Sequence, residues 1–524
     1  MKKLIPALLA FILLCSACKT PTPAEQTTTA PSETTAPAPV LPSQPTSGLF
    51  GIPFVPPKSG GFNPITNQSA LNAGFIPLVY ESLFKRDEQF RPVALLCQSY
   101  EFSGHILNIS LKEGVLFHDD TELTAADVVY SLQLAKNQSS FYASRLSLFS
   151  DFRATDRYSL SMYVAEKNAR VLALLEVPII KANTGNSSDA VGSGRYRLQT
   201  SDELQFLTPF SDWHSTDGEE PAVPHLLLVE VPDMDALIYN LAAGNLDGFL
   251  ADPLNSQGIA FPTDADRYTV ETSSLFYLAY NTARSPFHQT DVRVGLGRLI
   301  DRQELSKSCF SGFLSAGAGL FPQSAAFADE ALLEEMAGYN VSAGLALLDQ
   351  AGYRPDGNGV LRNSYGQLLT VSILVNADNS HKTAAAQAIA EMLTSAGVTA
   401  SVSALSFDAY KQAAENGDFD VMLAETTLSP HFDYAMLLSE NGALNFGKYA
   451  SASVSNFISD FARTLFTDAE YPGAALAAHV AENAPILPLG YKKMVFLVRK
   501  SNELVGIKPT VSDPFDNILN WSHR

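Results

Sequence analysis

His105-Ile106-Leu107-Asn108-Ile109-Ser110-Leu111, followed after a short interval by Thr124-Ala125-Ala126-Asp127-Val128-Val129-Tyr130-Ser131-Leu132, decides the fold class. The first segment alternates apolar and polar side chains, the pattern of a strand with one face buried. In the second, Thr124 and Asp127 stand in the arrangement of a capping box, whose hydroxyl and carboxylate satisfy the free amides of a helix start. Val128, Leu132 and Ala135 follow at helical spacing. A half-buried strand leading into an amphipathic helix predicts mixed α/β layers.

The same alternation returns farther along. Ser380 is read as the cap of a helix whose Ile389, Met392, Leu393 and Ala396 share one face; Gly397 ends it and Val398 to Leu405 reads as a strand. Val292, Leu296, Leu299 and Ile300 mark another helix, although Gly295 and Gly297 each cost about 1 kcal/mol relative to Ala. No short-period repeat is evident, which argues against a solenoid or propeller. The length of 524 residues exceeds a single ordinary core at roughly 150 residues per domain, and 46% hydrophobic residues exclude general disorder. A formal net charge of -20 excludes a nucleic-acid partner, which needs Lys and Arg gathered on one face, and favours a soluble body.

The first residues read as an address. Met1-Lys2-Lys3 is positive, Leu4 to Leu14 is uncharged and apolar but too short for a bilayer span of about 20 residues, and Cys15-Ser16-Ala17-Cys18 follows. This resembles a bacterial lipoprotein signal peptide (residues 1–18) in which Cys18 becomes the lipidated first residue; ordinary secretion is the alternative. Residues 19–47 hold seven of the 30 prolines among Thr, Ala, Ser and Glu, and cannot bury enough surface to fold, so they read as an extended stalk. Cys97 and Cys309 then remain in the folded body, either paired or as buried free thiols.

From Asn63 onward, several segments together resemble the extracytoplasmic solute-binding proteins of family 5, which serve peptide, nickel and related ABC importers. They are Leu78-Val79-Tyr80-Glu81-Ser82-Leu83-Phe84, Arg91-Pro92-Val93-Ala94, Ser99-Tyr100-Glu101-Phe102, and Leu111-Lys112-Glu113-Gly114-Val115-Leu116-Phe117-His118-Asp119-Asp120 continued by Leu123 to Leu132. Asp120 stands where the family favours Gly, which should alter a turn rather than the fold. Gly192-Ser193-Gly194-Arg195-Tyr196, Leu241 to Asp247, Tyr277-Leu278-Ala279-Tyr280-Asn281, Ile300-Asp301-Arg302, Leu347 to Tyr353 and Glu482 to Leu489 keep the family order.

The resemblance implies an α/β, bilobal periplasmic-binding-protein-like fold (type II, large three-domain variant) with mixed sheets and a hinge between lobes. The expected first lobe is 48–275, with a smaller inserted domain at about 75–185; the second is 276–486, and 487–524 returns to the first. The implied function is the substrate-binding component of an ABC importer, capturing a peptide or peptide-like solute and delivering it to permease subunits. Alternatives are a binder of a nickel complex, metallophore or other non-peptide solute. A monomer without cofactor, lipid-anchored on the outer face of the bacterial cytoplasmic membrane, is expected.

The family's peptide binders place a Trp and, three positions later, an ammonium-holding Asp before an Asp-Pro pair. Here the region reads Leu423-Ala424-Glu425-Thr426-Thr427-Leu428-Ser429-Pro430, with neither Trp nor Asp in register. Leaving a buried ammonium without a carboxylate costs several kcal/mol, so either Glu425 is a displaced anchor or the ligand is not an ordinary peptide. Glu425, Thr426, Thr427 and His431 are therefore expected to line the site, with Tyr280 and Asn281 at the crossing and Asn63, Phe141 and Tyr142 on the first-lobe side. Glu425 also reads as a solvated strand-end charge, and Tyr280 as core.

His118-Asp119-Asp120 lacks further ligands at readable spacing for a metal site, and its turn is read as structural; His431 is the residue for a metal complex in the cleft. An enzyme would need an activated nucleophile, a paired acid and base, or a cofactor loop. The sequence has no Gly-x-Ser-x-Gly elbow, P-loop or zinc-protease helix, so no catalytic residue is expected. A secreted hydrolase is the alternative of a different class, and an adhesin or signalling receptor on the same fold is a third.

Overall fold

Thr124 and Asp127 stand at the helix start that their spacing predicts, with one half of the capping box formed: the Thr124 hydroxyl donates to Asp127 instead of accepting from a helix amide. The Asp127 carboxylate accepts from the Thr124 backbone N–H at 2.9 Å and from its hydroxyl at 2.7 Å, and the helix runs over Ala125–Asn137. Its Val128, Leu132 and Ala135 pack in one core with Leu107, Ile109 and Leu111 of the strand Ile106–Leu111. The computed structural model describes residues 49–524 except 68, 138–139, 166–167, 187, 202–203, 216–220 and 256–260. The readings of the signal, Cys18 and the stalk lie outside the described residues.

Three sheets carry the fold. Phe50–Phe54, Leu226–Glu230, Leu204–Pro209 and Tyr196–Ser201 form a mixed four-stranded sheet in that order. Cys97–Ser103, Ile106–Leu111, Ser159–Val164 and Phe149–Asp156 form an antiparallel one. The third has seven strands, and at its heart two long antiparallel strands, Ala265–Tyr280 and Ile486–Arg499, lie side by side. At one end of this pair, Phe496 and Val498 join the core of the first two sheets, together with Leu504 and Trp521 from the last residues of the chain. At the other end, Val421–Thr427, Thr370–Asn376 and Thr399–Leu405 extend the sheet. There its two faces are covered by separate cores, one around Phe321 and Phe461 and one around Val292 and Leu393. The protein is bilobal, with two crossing strands shared by both lobes.

The Gly192-Ser193-Gly194 turn exists because it lies against backbone. A Cβ on Gly192 would stand 2.1 Å from the Val79 carbonyl oxygen, and one on Gly194 2.4 Å from that of Leu78. The Gly194 carbonyl in turn lies 2.9 Å from His118 Nε2, which fixes the His118-Asp119-Asp120 turn; Asp120 adopts φ +63°, a left-handed conformation that Asp tolerates.

Two boundaries differ from the sequence reading. The cap of helix Ser380–Ser395 is Asn379, whose Oδ1 accepts from Lys382 N at 3.0 Å, one residue ahead of Ser380. The helix Thr290–Gly297 stops before Leu299 and Ile300, whose amides bond three residues back in a tightened turn while their side chains stay in the same core. Gly295 is explained by the neighbouring helix Val341–Gln350: its Cβ would lie 3.0 Å from the Gly344 carbonyl oxygen, so the two backbones approach closely. Among the described residues Cys97 and Cys309 are both buried and free.

Candidate functional site

Where the crossing strands pass between lobes, the backbone ladder is interrupted between Glu271 and Leu275, with a second shift between Phe276 and Tyr277. Buried hydroxyls take over there. Thr272 Oγ1 donates to the Lys492 carbonyl at 2.8 Å, Ser273 Oγ donates to that of Leu428 at 2.8 Å, and Ser274 Oγ meets Thr427 Oγ1 at 2.6 Å. Small polar side chains thus satisfy a bulged backbone that the ladder leaves open.

Glu425 sits beside this bulge, paired with Phe276 in register. It is engaged already: Lys382 Nζ lies 2.8 Å and Lys492 Nζ 3.2 Å from its oxygens, and Lys492 also meets Asp252 at 2.8 Å. Burial pushes the Glu425 carboxyl up, but the two ammonium groups outweigh it and hold it below the usual carboxylate range. Burial likewise acts downward on Lys492, and Glu425 and Asp252 more than offset it. Thr427 is held by Ser274, whereas the Thr426 hydroxyl has no hydrogen bond among the described residues.

His431 is buried, its Nδ1 2.9 Å from Ser429 Oγ. Burial pushes it down to about 4, against the pull of Asp433 and with some help from Arg170. Its backbone carbonyl accepts from Arg170 Nε at 3.2 Å. The neighbouring Phe432 packs edge-on against Phe90, from the loop that joins Phe84–Arg86 to Pro92–Ala94 in the first lobe. The lobes therefore meet directly at His431 and Phe432.

A cavity of about 760 Å³ opens next to this contact. Its walls are Asp87, Glu88 and Phe90 of the first-lobe loop, Arg267 to Glu271 of the crossing strand, Ser315, Gln323 and Ser324 of the second lobe, Lys493, and Lys508 to Val511. Glu271 Oε2 accepts from the Ser324 amide at 2.9 Å and hydroxyl at 2.6 Å, while its buried Oε1 has no partner among the described residues. Neither Lys493 nor Lys508 is in an ion pair among the described residues. Among the described residues the Glu88 and Glu271 carboxylates and the Arg267, Lys493 and Lys508 cations on its walls have no ion pair, a set that complements a ligand carrying both charges.

None of the nine sequence-predicted residues lines that cavity. Tyr280 is core, stacked on Phe287 at 6.3 Å. Asn281 donates to the Gly417 and Phe419 carbonyls at 3.0 and 3.1 Å and so closes a turn. Asn63 Oδ1 accepts from Ile65 N at 2.9 Å. Tyr142 packs against the first-lobe core under Arg145, and Phe141 is exposed. Glu271, Lys493 and Lys508, which do line the cavity, were not among the sequence-predicted residues; the first two lie on the crossing strands and Lys508 follows the second strand by nine residues, outside the quoted family segments. Among the described residues no three His, Cys, Asp or Glu side chains gather as metal ligands, and no helix is long and apolar enough to cross a membrane.

Comparison with known proteins agrees with this architecture. The model of bacterial extracellular solute-binding proteins, family 5 Middle, matches residues 91–445. The oligopeptide-binding protein AppA of Bacillus subtilis is 21% identical over 427 residues, covering 76% of this chain and 78% of that protein. The glutathione-binding protein GsiB of Salmonella typhimurium is 24% identical over 371 residues, 67% of this chain and 68% of its own. Among solved structures, a nickel ABC transporter protein from Bacillus halodurans superposes with a TM-score of 0.73 at 20% identity, over 89% of this chain and 98% of that one.

Proposed function

Because the chain belongs to the bacterial extracellular solute-binding proteins of family 5, we propose that it is the substrate-binding component of an ABC importer, capturing a peptide or peptide-like solute between its lobes for delivery to a membrane permease. The observation that carries this reading is the 760 Å³ cavity at the crossing strands, within the range of small-ligand sites and lined by residues from both lobes. The Glu88 and Glu271 carboxylates face the ligand's ammonium, and Lys493 and Lys508 its carboxylate. Glu425 and Thr427 brace the hinge, and Thr426 lies outside the cavity wall. Tyr280, Asn281 and Asn63 act as scaffold.

In this reading residues 48–275, with the inserted domain at about 75–185, and 487–524 form the first lobe, and 276–486 the second. The hydroxyl-bonded bulge at Thr272 to Ser274 supports a hinge at that division. Cys18 carries the lipid and residues 19–47 the spacing, so the body works as a monomer outside the cytoplasmic membrane, binding rather than catalysing. Fractionation of cells carrying Cys18→Ser checks the anchor: the protein should leave the membrane fraction.

A thermal-shift screen with a tryptic casein digest, and with nickel plus L-histidine in parallel, tests the ligand class. Saturation at about 100 times the dissociation constant adds about 2.7 kcal/mol of stability. The digest should raise the melting temperature, and Glu271→Gln or Lys493→Met should weaken binding about 10- to 100-fold, each removing a charge-assisted bond. A shift with nickel-histidine alone would replace the peptide reading with the metal-complex one.

A further inference from the structure

Arg170 is fully buried where the two lobes meet, in the turn Ala169–Leu175. The turn belongs to the first lobe: Val171, Leu172, Leu174 and Leu175 are anchored in its core, and Asn168 Oδ1 accepts from the Arg170 amide at 2.9 Å. What the charged end touches belongs to the second lobe. The guanidinium carbon lies 3.8 Å from the centroid of the Phe461 ring, 3.9 Å from Phe466 and 4.9 Å from Phe327, and Nε donates to the His431 carbonyl. Among the described residues no carboxylate pairs with it, and neither Nη1 nor Nη2 has an acceptor.

We propose that Arg170 is a closure latch, a positioning residue that clips the lobes together through the Phe327, Phe461 and Phe466 cage and sets how long a captured solute is retained without touching it. The inference rests on the reading of hinged lobes. The guanidinium faces the rings only when the lobes are apposed, and a desolvated cation over aromatic faces is strongly attracted to them. Opening returns the two unmet nitrogens to water, which opposes that attraction. The opposition makes the contact reversible: a carboxylate in the cage would hold the arginine more tightly, and a purely apolar side chain would lack the carbonyl bond that aligns the lobes. Lys cannot replace it, because a point charge has neither a planar face to stack nor a fork that also reaches the His431 carbonyl.

The test is a spin-label distance measurement on the full folded body, with labels at cysteines placed at the exposed positions Asp156 and Tyr365 and with no added solute. The wild type should populate a short distance. Arg170→Met, which keeps an unbranched apolar stem, should move the population about tenfold toward longer distances, and Phe461→Leu should do the same from the other lobe. The double variant should add nothing beyond either single change. An unchanged distance distribution in both single variants, even with a lower melting temperature, would overturn the latch and leave Arg170 as packing only. Because no solute enters the measurement, failure of the peptide reading would leave this outcome untouched. If Arg170→Met does not fold, Phe461→Leu alone decides.

Discussion

Glu425 has the side chain a cation anchor needs, and its two oxygens are already taken by Lys382 and Lys492. Removing its charge takes the carboxylate from Lys382 and leaves Lys492 with Asp252 alone, so Glu425→Gln should destabilise the fold by about 2 kcal/mol, measured by urea unfolding. No loss of stability would mean the lysines find other partners. His431 makes the complementary prediction in pH. It takes a proton near pH 4 in the folded protein, against about 6.5 when unfolded, because burial opposes the charge. Between those values the unfolded chain binds a proton that the folded one refuses, so stability falls as the pH drops from 6.5 toward 4, by up to about 1.4 kcal/mol per unit. The depressed Glu425 carboxyl acts lower, its contribution present above about 4.5 and lost as acid protonates it. His431→Asn should therefore lose less melting temperature than the wild type between pH 7 and pH 5. Parallel curves would contradict the assignment. Neither engagement was legible in the sequence, since Lys382, Lys492 and Arg170 come from segments far from residues 425–431 and carry no motif of their own.

Elements were easier to read than partners. The strand Ile106–Leu111 and the helix Ala125–Asn137 follow from alternation and a cap because both signals are local. The cap at Asn379 and the early end of Thr290–Gly297 escaped, the first because Asn and Ser compete as neighbours, the second because tertiary packing keeps Leu299 and Ile300 buried outside the helix. Glycine separates motif from space. Gly192→Ala should cost about 3 kcal/mol or prevent folding, since its methyl would meet the Val79 carbonyl at 2.1 Å. Gly357→Ala, with nothing within 4 Å of the added carbon, should change stability by less than about 1 kcal/mol. Equal losses at both sites, measured by chemical denaturation, would mean that close approach does not explain the turn.

At the scale of the molecule, dividing 524 residues by a typical domain length suggests consecutive domains, whereas the chain interleaves them. Ala265–Tyr280 leaves the first core for the second, and Ile486–Arg499 comes back beside it, so Phe496 and Trp521 end in the core where Phe50 begins. The family order of short segments implies a path of this kind. The cavity was not legible, because its walls come from five segments and its chemistry depends on which charges are left unpaired. An acidic surplus of 20 describes the whole chain and hides Lys493 and Lys508, neither of which is in an ion pair among the described residues. Native mass spectrometry of the purified protein mixed with a tryptic casein digest tests the central claim most directly. A 1:1 complex carrying peptide mass is expected, lost in Glu271→Gln and Lys493→Met. A protein that stays bare in the digest, or one whose adducts survive both substitutions, would contradict it.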